Sequence, residues 1–103
     1  MRRATAYMDD HLAEPLTVAD VAAAANLSTR GLSVAFRRHL DTTPSAYLRR
    51  ARLAAAHGDL VHGASASSTV AVVARRWGFN NPGRFADAYR EAFGTSPAAT
   101  LRS

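Results

Sequence analysis

Apolar residues recur every three to four positions along most of the chain, and no stretch alternates apolar with polar residues for long. That period predicts an all-α protein. A first helix is expected over about Arg3 to Leu12, ending before Glu14-Pro15. Thr17 and Asp20 form a capping-box-like T-V-A-D that opens a second helix to about Ala25. Asn26-Leu27 reads as a tight turn, and Ser28 as the cap of a third helix reaching about Leu40. Thr43, with Pro44 at the first helical position, starts a long fourth helix that ends at Ala56 or Leu60. Residues 63–68, GASASS, read as a flexible linker. Thr69 opens a fifth helix to about Trp77, Gly78-Phe79-Asn80-Asn81 turns, and Pro82 opens a sixth helix to Phe93. Gly94 suits the residue after a helix end, and Ser96-Pro97 begins a short seventh helix.

The layout repeats. Thr17, Val18, Val21, Ala22 and Leu27 recur as Thr69, Val70, Val73, Ala74 and Phe79, at an offset of 52. Beyond the turn the offset is 53, and Leu32, Phe36, Leu40, Thr42, Thr43 and Pro44 recur as Phe85, Tyr89, Phe93, Thr95, Ser96 and Pro97. The slip of one residue falls in the turn, where changes of length are tolerated. Each half is a short helix, a tight turn and a longer helix with apolar residues at i, i+4 and i+8. This is the pattern of a helix-turn-helix, whose second helix enters the DNA major groove. On this pattern Leu32, Ala35, Phe36 and Leu40 should line the inner face of the third helix. Phe85, Ala88, Tyr89, Ala92 and Phe93 should do so in the sixth.

Composition narrows the partner. The 103 residues carry 13 basic and 8 acidic side chains, for a net charge of +5, and every basic residue is Arg. Residues 1–28 sum to −2, residues 29–53 to +5 and residues 54–103 to +2. A basic excess that begins with the third helix suits an anionic partner, and a solvated face is the plainer alternative. Cys is absent, which removes disulfides, thiolate catalysis and Cys-based zinc sites, and is compatible with a cytoplasmic location. No apolar run approaches the ~20 residues of a membrane span, and no secretory signal follows Met1. His57 and His62 are five apart, not the four that put two ligands on one helix face, and no phosphate loop or nucleophile motif is present. No cofactor, no metal and no catalytic residue is expected.

Residues 74–97, ARRWGFNNPGRFADAYREAFGTSP, resemble the signature of the AraC/XylS family of bacterial transcription regulators. The first half is similar to that family at Leu27-Ser28, Leu32, Phe36, Pro44, Tyr47-Leu48 and Arg52-Leu53. The resemblance implies two homeodomain-like helix-turn-helix subdomains, 1–43 and 63–103, joined by a connector helix within 44–62. It also implies about seven helices, binding to successive major grooves through residues 29–40 and 82–93, and transcription regulation. Three residues depart from the family pattern: Asp41 replaces a usual Gly, Gly58 threatens an early end to the connector, and Thr100-Leu101 replaces a usual aromatic. The last change predicts weak packing of the seventh helix.

The resemblance places base contacts on Arg30, Ser33 and Val34 in the third helix and on Gly83, Arg84 and Asp87 in the sixth. Arg suits guanine O6 and N7, Ser reaches several base edges, and Val packs on a thymine methyl. Asp87 either accepts from cytosine N4 or pairs with Arg84 three residues back, the second being the plainer role. Gly83 permits close approach. Phosphate contacts fall to Ser28, Thr29, Arg37 and Arg38 in the first unit and to Asn80, Asn81, Pro82 and Arg90 in the second. The first unit then supplies most discrimination and the second mostly affinity. The resemblance implies a structural role for Arg52, while Arg49 and Arg50 read equally as solvated charges or phosphate contacts.

The expected partner is double-stranded DNA, with RNA polymerase as a further candidate for the acidic first helix (Asp9, Asp10, Glu14). The alternative is a helix-turn-helix used mainly to bind protein. The family also implies an effector or dimerisation domain outside these residues.

Overall fold

A computed structural model describes residues 2–62 and 69–102. The expected linker at 63–68 lies outside the described residues. Among the described residues seven helices appear in chain order: α1 (Arg2–Asp10), α2 (Val18–Ala24), α3 (Thr29–Leu40), α4 (Pro44–Val61), α5 (Val70–Arg76), α6 (Pro82–Phe93) and α7 (Pro97–Arg102). The chain divides into two compact units, Met1–Ala51 and Arg52–Ser103.

In the first unit, Ala4 and Met8 of α1, Val21 and Ala22 of α2, Leu32 and Phe36 of α3, and Leu48 of α4 form one buried cluster. The Phe36 and Tyr47 rings meet edge to face, with centroids 5.5 Å apart. Burying a side chain the size of Phe, Met or Leu contributes about 1.5–3 kcal/mol, so Phe36, Met8 and Leu32, the largest fully buried side chains of this unit, carry most of this small core. The second unit repeats the arrangement with Leu53, Ala56, Leu60, Val73, Ala74, Phe85, Ala88 and Tyr89.

Local signals set the helix ends. Thr17 caps α2 in a full capping box, its Oγ1 accepting from Asp20 N–H at 3.0 Å while Asp20 accepts from Thr17 N–H at 3.0 Å. Thr69 caps α5, accepting from Val72 N–H at 3.2 Å. Thr43 Oγ1 accepts from Ala46 N–H at the start of α4. Gly58 does not stop α4: the helix runs to Val61, and His62 N–H still donates to the Gly58 carbonyl at 3.0 Å. A single helical Gly costs only about 1 kcal/mol relative to Ala, which the buried Ala56 and Leu60 around it offset.

Two expected inner positions lie elsewhere. Leu40 is 42% exposed, and Ala92 is exposed too. Both stand near the C-terminal end of their helix, beyond the buried pair that faces each core. The expected weak packing of α7 is also corrected. Pro97 and Thr100 are buried, and Thr100 Oγ1 accepts from the Tyr89 hydroxyl at 2.9 Å. A hydroxyl pair fastens α7 where an aromatic side chain was expected to be missed.

Candidate nucleic-acid interface

In each unit a turn delivers the chain to an exposed helix start. Leu27 N–H donates to the Ala22 carbonyl at 2.8 Å, and Phe79 N–H donates to the Ala74 carbonyl at 2.9 Å. The turn residues Asn26 and Gly78 have φ of 62° and 88°. Asn tolerates this left-handed region better than most residues, and Gly adopts it freely. The left-handed φ alone calls for glycine: a Cβ on Gly78 would lie 3.5 Å from Arg52 Cζ, an ordinary van der Waals distance, which places the guanidinium of the connector beside the turn. Burial lowers the Arg52 pKa from its ordinary value, and the group still remains charged. This fits the structural reading of Arg52.

Ser28 caps α3, its Oγ accepting from Gly31 N–H at 3.0 Å, and Asn81 caps α6, its Oδ1 accepting from Arg84 N–H at 3.0 Å. Each capping side chain also carries a donor, the Ser28 hydroxyl and the Asn81 Nδ2 amide, at an electropositive helix end. Leu32 and Phe36 on α3, and Phe85 and Tyr89 on α6, are fully buried and fix which face turns outward.

On that outward face the structure brings Arg30, Ser33, Val34, Arg37 and Arg38 together along α3, all exposed. Val34 is 57% exposed, a branched apolar side chain held in solvent among arginines. Ser28 and Thr29 stand exposed at the helix start. On α6 and its approach, Asn80, Asn81, Pro82, Gly83, Arg84, Asp87 and Arg90 are all exposed. Arg37 approaches Asp41 only at 3.8 Å with both side chains largely solvated, a contact worth little. Arg84 and Asp87 form no ion pair within 4.0 Å among the described residues, so the plainer role expected for Asp87 is not realised.

Sequence reasoning missed two groups that hold the second unit. Asp59 Oδ2 accepts from Arg76 Nη1 and from Trp77 Nε1, each at 2.8 Å. Arg76 is thereby tied to the fold through one of its nitrogens. The signal was present, since Asp59 is the only acid between Asp41 and Asp87. The other group is a directed chain of hydrogen bonds. His57 Nδ1 lies 2.7 Å from the Tyr89 hydroxyl, Tyr89 donates to Thr100 Oγ1, and Thr100 donates to the Ser96 carbonyl at 3.3 Å. His57 also stacks on Phe93, centroids 4.3 Å apart. His57 therefore serves packing, and no group of three or more His, Asp or Glu among the described residues is placed to hold a metal ion.

The family described as helix-turn-helix domain matches residues 21–103. A crystal structure of a probable AraC family transcriptional regulator from Rhodopseudomonas palustris CGA009 superposes with a TM-score of 0.90 at 37% identity, covering 98% of this chain and 93% of that one. This chain belongs to the AraC/XylS family. The DNA-binding domain of AdpA, a global transcriptional factor solved in complex with a target DNA, is a further neighbour with a TM-score of 0.85 at 30% identity, covering 98% and 88% of the two chains. The probable thc operon regulatory protein of Rhodococcus erythropolis is 43% identical over 103 residues, all of this chain and 31% of that protein. The XylDLEGF operon transcriptional activator 3 of Pseudomonas putida is 33% identical over 100 residues, 97% of this chain and 30% of that protein. This AraC/XylS chain thus spans about a third of the length of the curated relatives it matches.

Proposed function

We propose that this chain binds double-stranded DNA sequence-specifically, with α3 and α6 in successive major grooves, and serves as the DNA-binding part of a bacterial transcription regulator. The observation that carries the reading is the pair of capped, exposed helix starts, each locked by two fully buried residues and each presenting arginine. The likeness to a domain solved on its target DNA supports it. Arg30 and Arg84 read guanine edges, Ser33, Val34, Gly83 and Asp87 complete the base contacts, and Asp87, unpaired with Arg84, accepts from cytosine N4. Ser28, Thr29, Arg37, Arg38, Asn80, Asn81, Pro82 and Arg90 meet phosphates and set register.

The subdomains act as residues 1–43 and 63–103, with 44–62 between them. We assign no catalysis and no cofactor to it, and a cytoplasmic, nucleoid-associated location. The extra length of its relatives suits an effector or dimerisation domain in the full-length regulator, and the exposed acidic end of α1 suits RNA polymerase.

Selection of bound sites from random duplex DNA tests the reading, with a site spanning two successive major grooves as the expected result. Binding should weaken by orders of magnitude between about 50 and 200 mM salt as phosphate contacts are screened. A flat salt response with no enriched site would instead favour a protein partner. With the enriched site in hand, Arg30→Ala should relax base preference more than Arg84→Ala, because the first unit presents more side-chain chemistry. The reverse order would reassign discrimination to the second unit.

A further inference from the structure

The two reading helices share one frame. Counting from Thr29 and Pro82 as first positions, the fourth and eighth residues are the buried pairs Leu32/Phe36 and Phe85/Tyr89. The capping side chain bonds the third N–H at 3.0 Å in both. The residue after each helix, Asp41 or Gly94, is left-handed in both. Within that frame the arginines do not correspond. Arg30 is second in α3 and Gly31 third, whereas Gly83 is second in α6 and Arg84 third.

One helical residue is a rotation of about 100° and a rise of about 1.5 Å. The sixth positions, Val34 and Asp87, point directly away from the buried pairs, and the second and third positions fall on opposite sides of that line. On the second-position side α3 carries Arg30, Ser33 and Arg37, where α6 carries Gly83, Ala86 and Arg90. On the other side α3 has Gly31 and Arg38, where α6 has Arg84 and Glu91. The short-range chemistry has crossed the outward line between the repeats. Each helix accepts glycine, a poor helix former, where the other holds arginine.

We infer that α3 and α6 read opposite edges of their grooves, so that the guanine required by Arg84 sits at a position in its half-site that does not correspond to the guanine required by Arg30. The inference rests on the DNA-binding reading above. It makes the repeat in the protein a poor guide to the site, which should hold two unlike halves.

The test is selection from random duplex DNA with the whole chain and two pairs of variants, each checked for an unchanged melting transition. Arg30→Gln and Arg84→Gln keep the backbone and convert a guanine preference to adenine. Each should switch one position by about tenfold or more, and the two positions should be non-equivalent when the half-sites are aligned on their groove centres. The exchanges Arg30→Gly/Gly31→Arg and Gly83→Arg/Arg84→Gly should move the guanine requirement within the altered half-site and leave the other half unchanged. A Cβ at residue 31 would meet Ser28 Oγ at 3.2 Å and one at residue 83 would meet Asn81 Oδ1 at 3.3 Å, so the glutamine pair decides where an exchange fails to fold. Two matching half-sites, or switched positions that coincide on alignment, would overturn the inference and leave DNA binding standing. Failure of the unaltered chain to enrich any site would overturn both.

Discussion

Asp41 and Gly94 occupy the same place in the two repeats and meet the same demand with different residues. Both are left-handed, with φ of 51° and 76°, and both donate their N–H to the carbonyl four residues back. Gly94 adopts this backbone freely, while Asp41 carries a Cβ and sets a negative charge at the negative end of the α3 dipole. Its approach to Arg37 is long and solvated and offsets little. Asp41→Gly should therefore stabilise the chain by about 0.5–1 kcal/mol, measured by urea denaturation. A loss of stability would mean that the Arg37 contact outweighs the backbone strain. The position was legible in advance because helix stops depend on one residue and its neighbours. The same holds for Thr17, Ser28, Thr69 and Asn81, whose caps need only a side chain three residues from its partner.

At the scale of elements, locality stops helping. Phe36 and Tyr89 are equivalent in the repeat and both fully buried, yet only Tyr89 carries a hydroxyl, and that hydroxyl joins α4, α6 and α7 through His57 and Thr100. The contacts link residues 32 and 11 apart in sequence, and no local pattern announces them. The same limit misplaced Leu40 and Ala92, because a period of 3.6 assigns an inner face without saying where the neighbouring helix ends. Tyr89→Phe should cost about 1–3 kcal/mol, since it leaves buried partners unsatisfied. In Tyr89→Phe/Thr100→Val part of that loss should return, as a double-mutant cycle from thermal melts would read out. Strict additivity would show that the Tyr89–Thr100 bond contributes nothing. Asp59→Ala should likewise destabilise the chain, by about 1–2 kcal/mol, because Arg76 and Trp77 lose their shared acceptor. The loss should be smaller in Asp59→Asn, whose amide oxygen still accepts from the indole.

Over the whole molecule, net charge says less than its distribution. Of the 13 arginines, Arg76 is tied to Asp59 and Arg52 rests against the Gly78 turn, while those on α3 and α6 stand exposed. The count and the placement on helices could be read from the sequence. Which charges are tied into the fold and which are left exposed required the tertiary contacts. The two buried clusters share no residue, and the single tryptophan belongs to the second. The indole of Trp77, pinned to Asp59 and half-buried against the second cluster, is thus a fluorophore that nature installed in one unit only. Its emission should follow the melting of residues 52–103 and stay blind to damage in the other cluster. Removing the Phe36 ring as Phe36→Ala, a loss of about 3–5 kcal/mol, should lower the helical signal of the chain early while the Trp77 transition keeps its midpoint. If the emission shifts in step, the units melt as one. Where the midpoint holds, a single native side chain lets the stability of one unit be followed without labelling the protein.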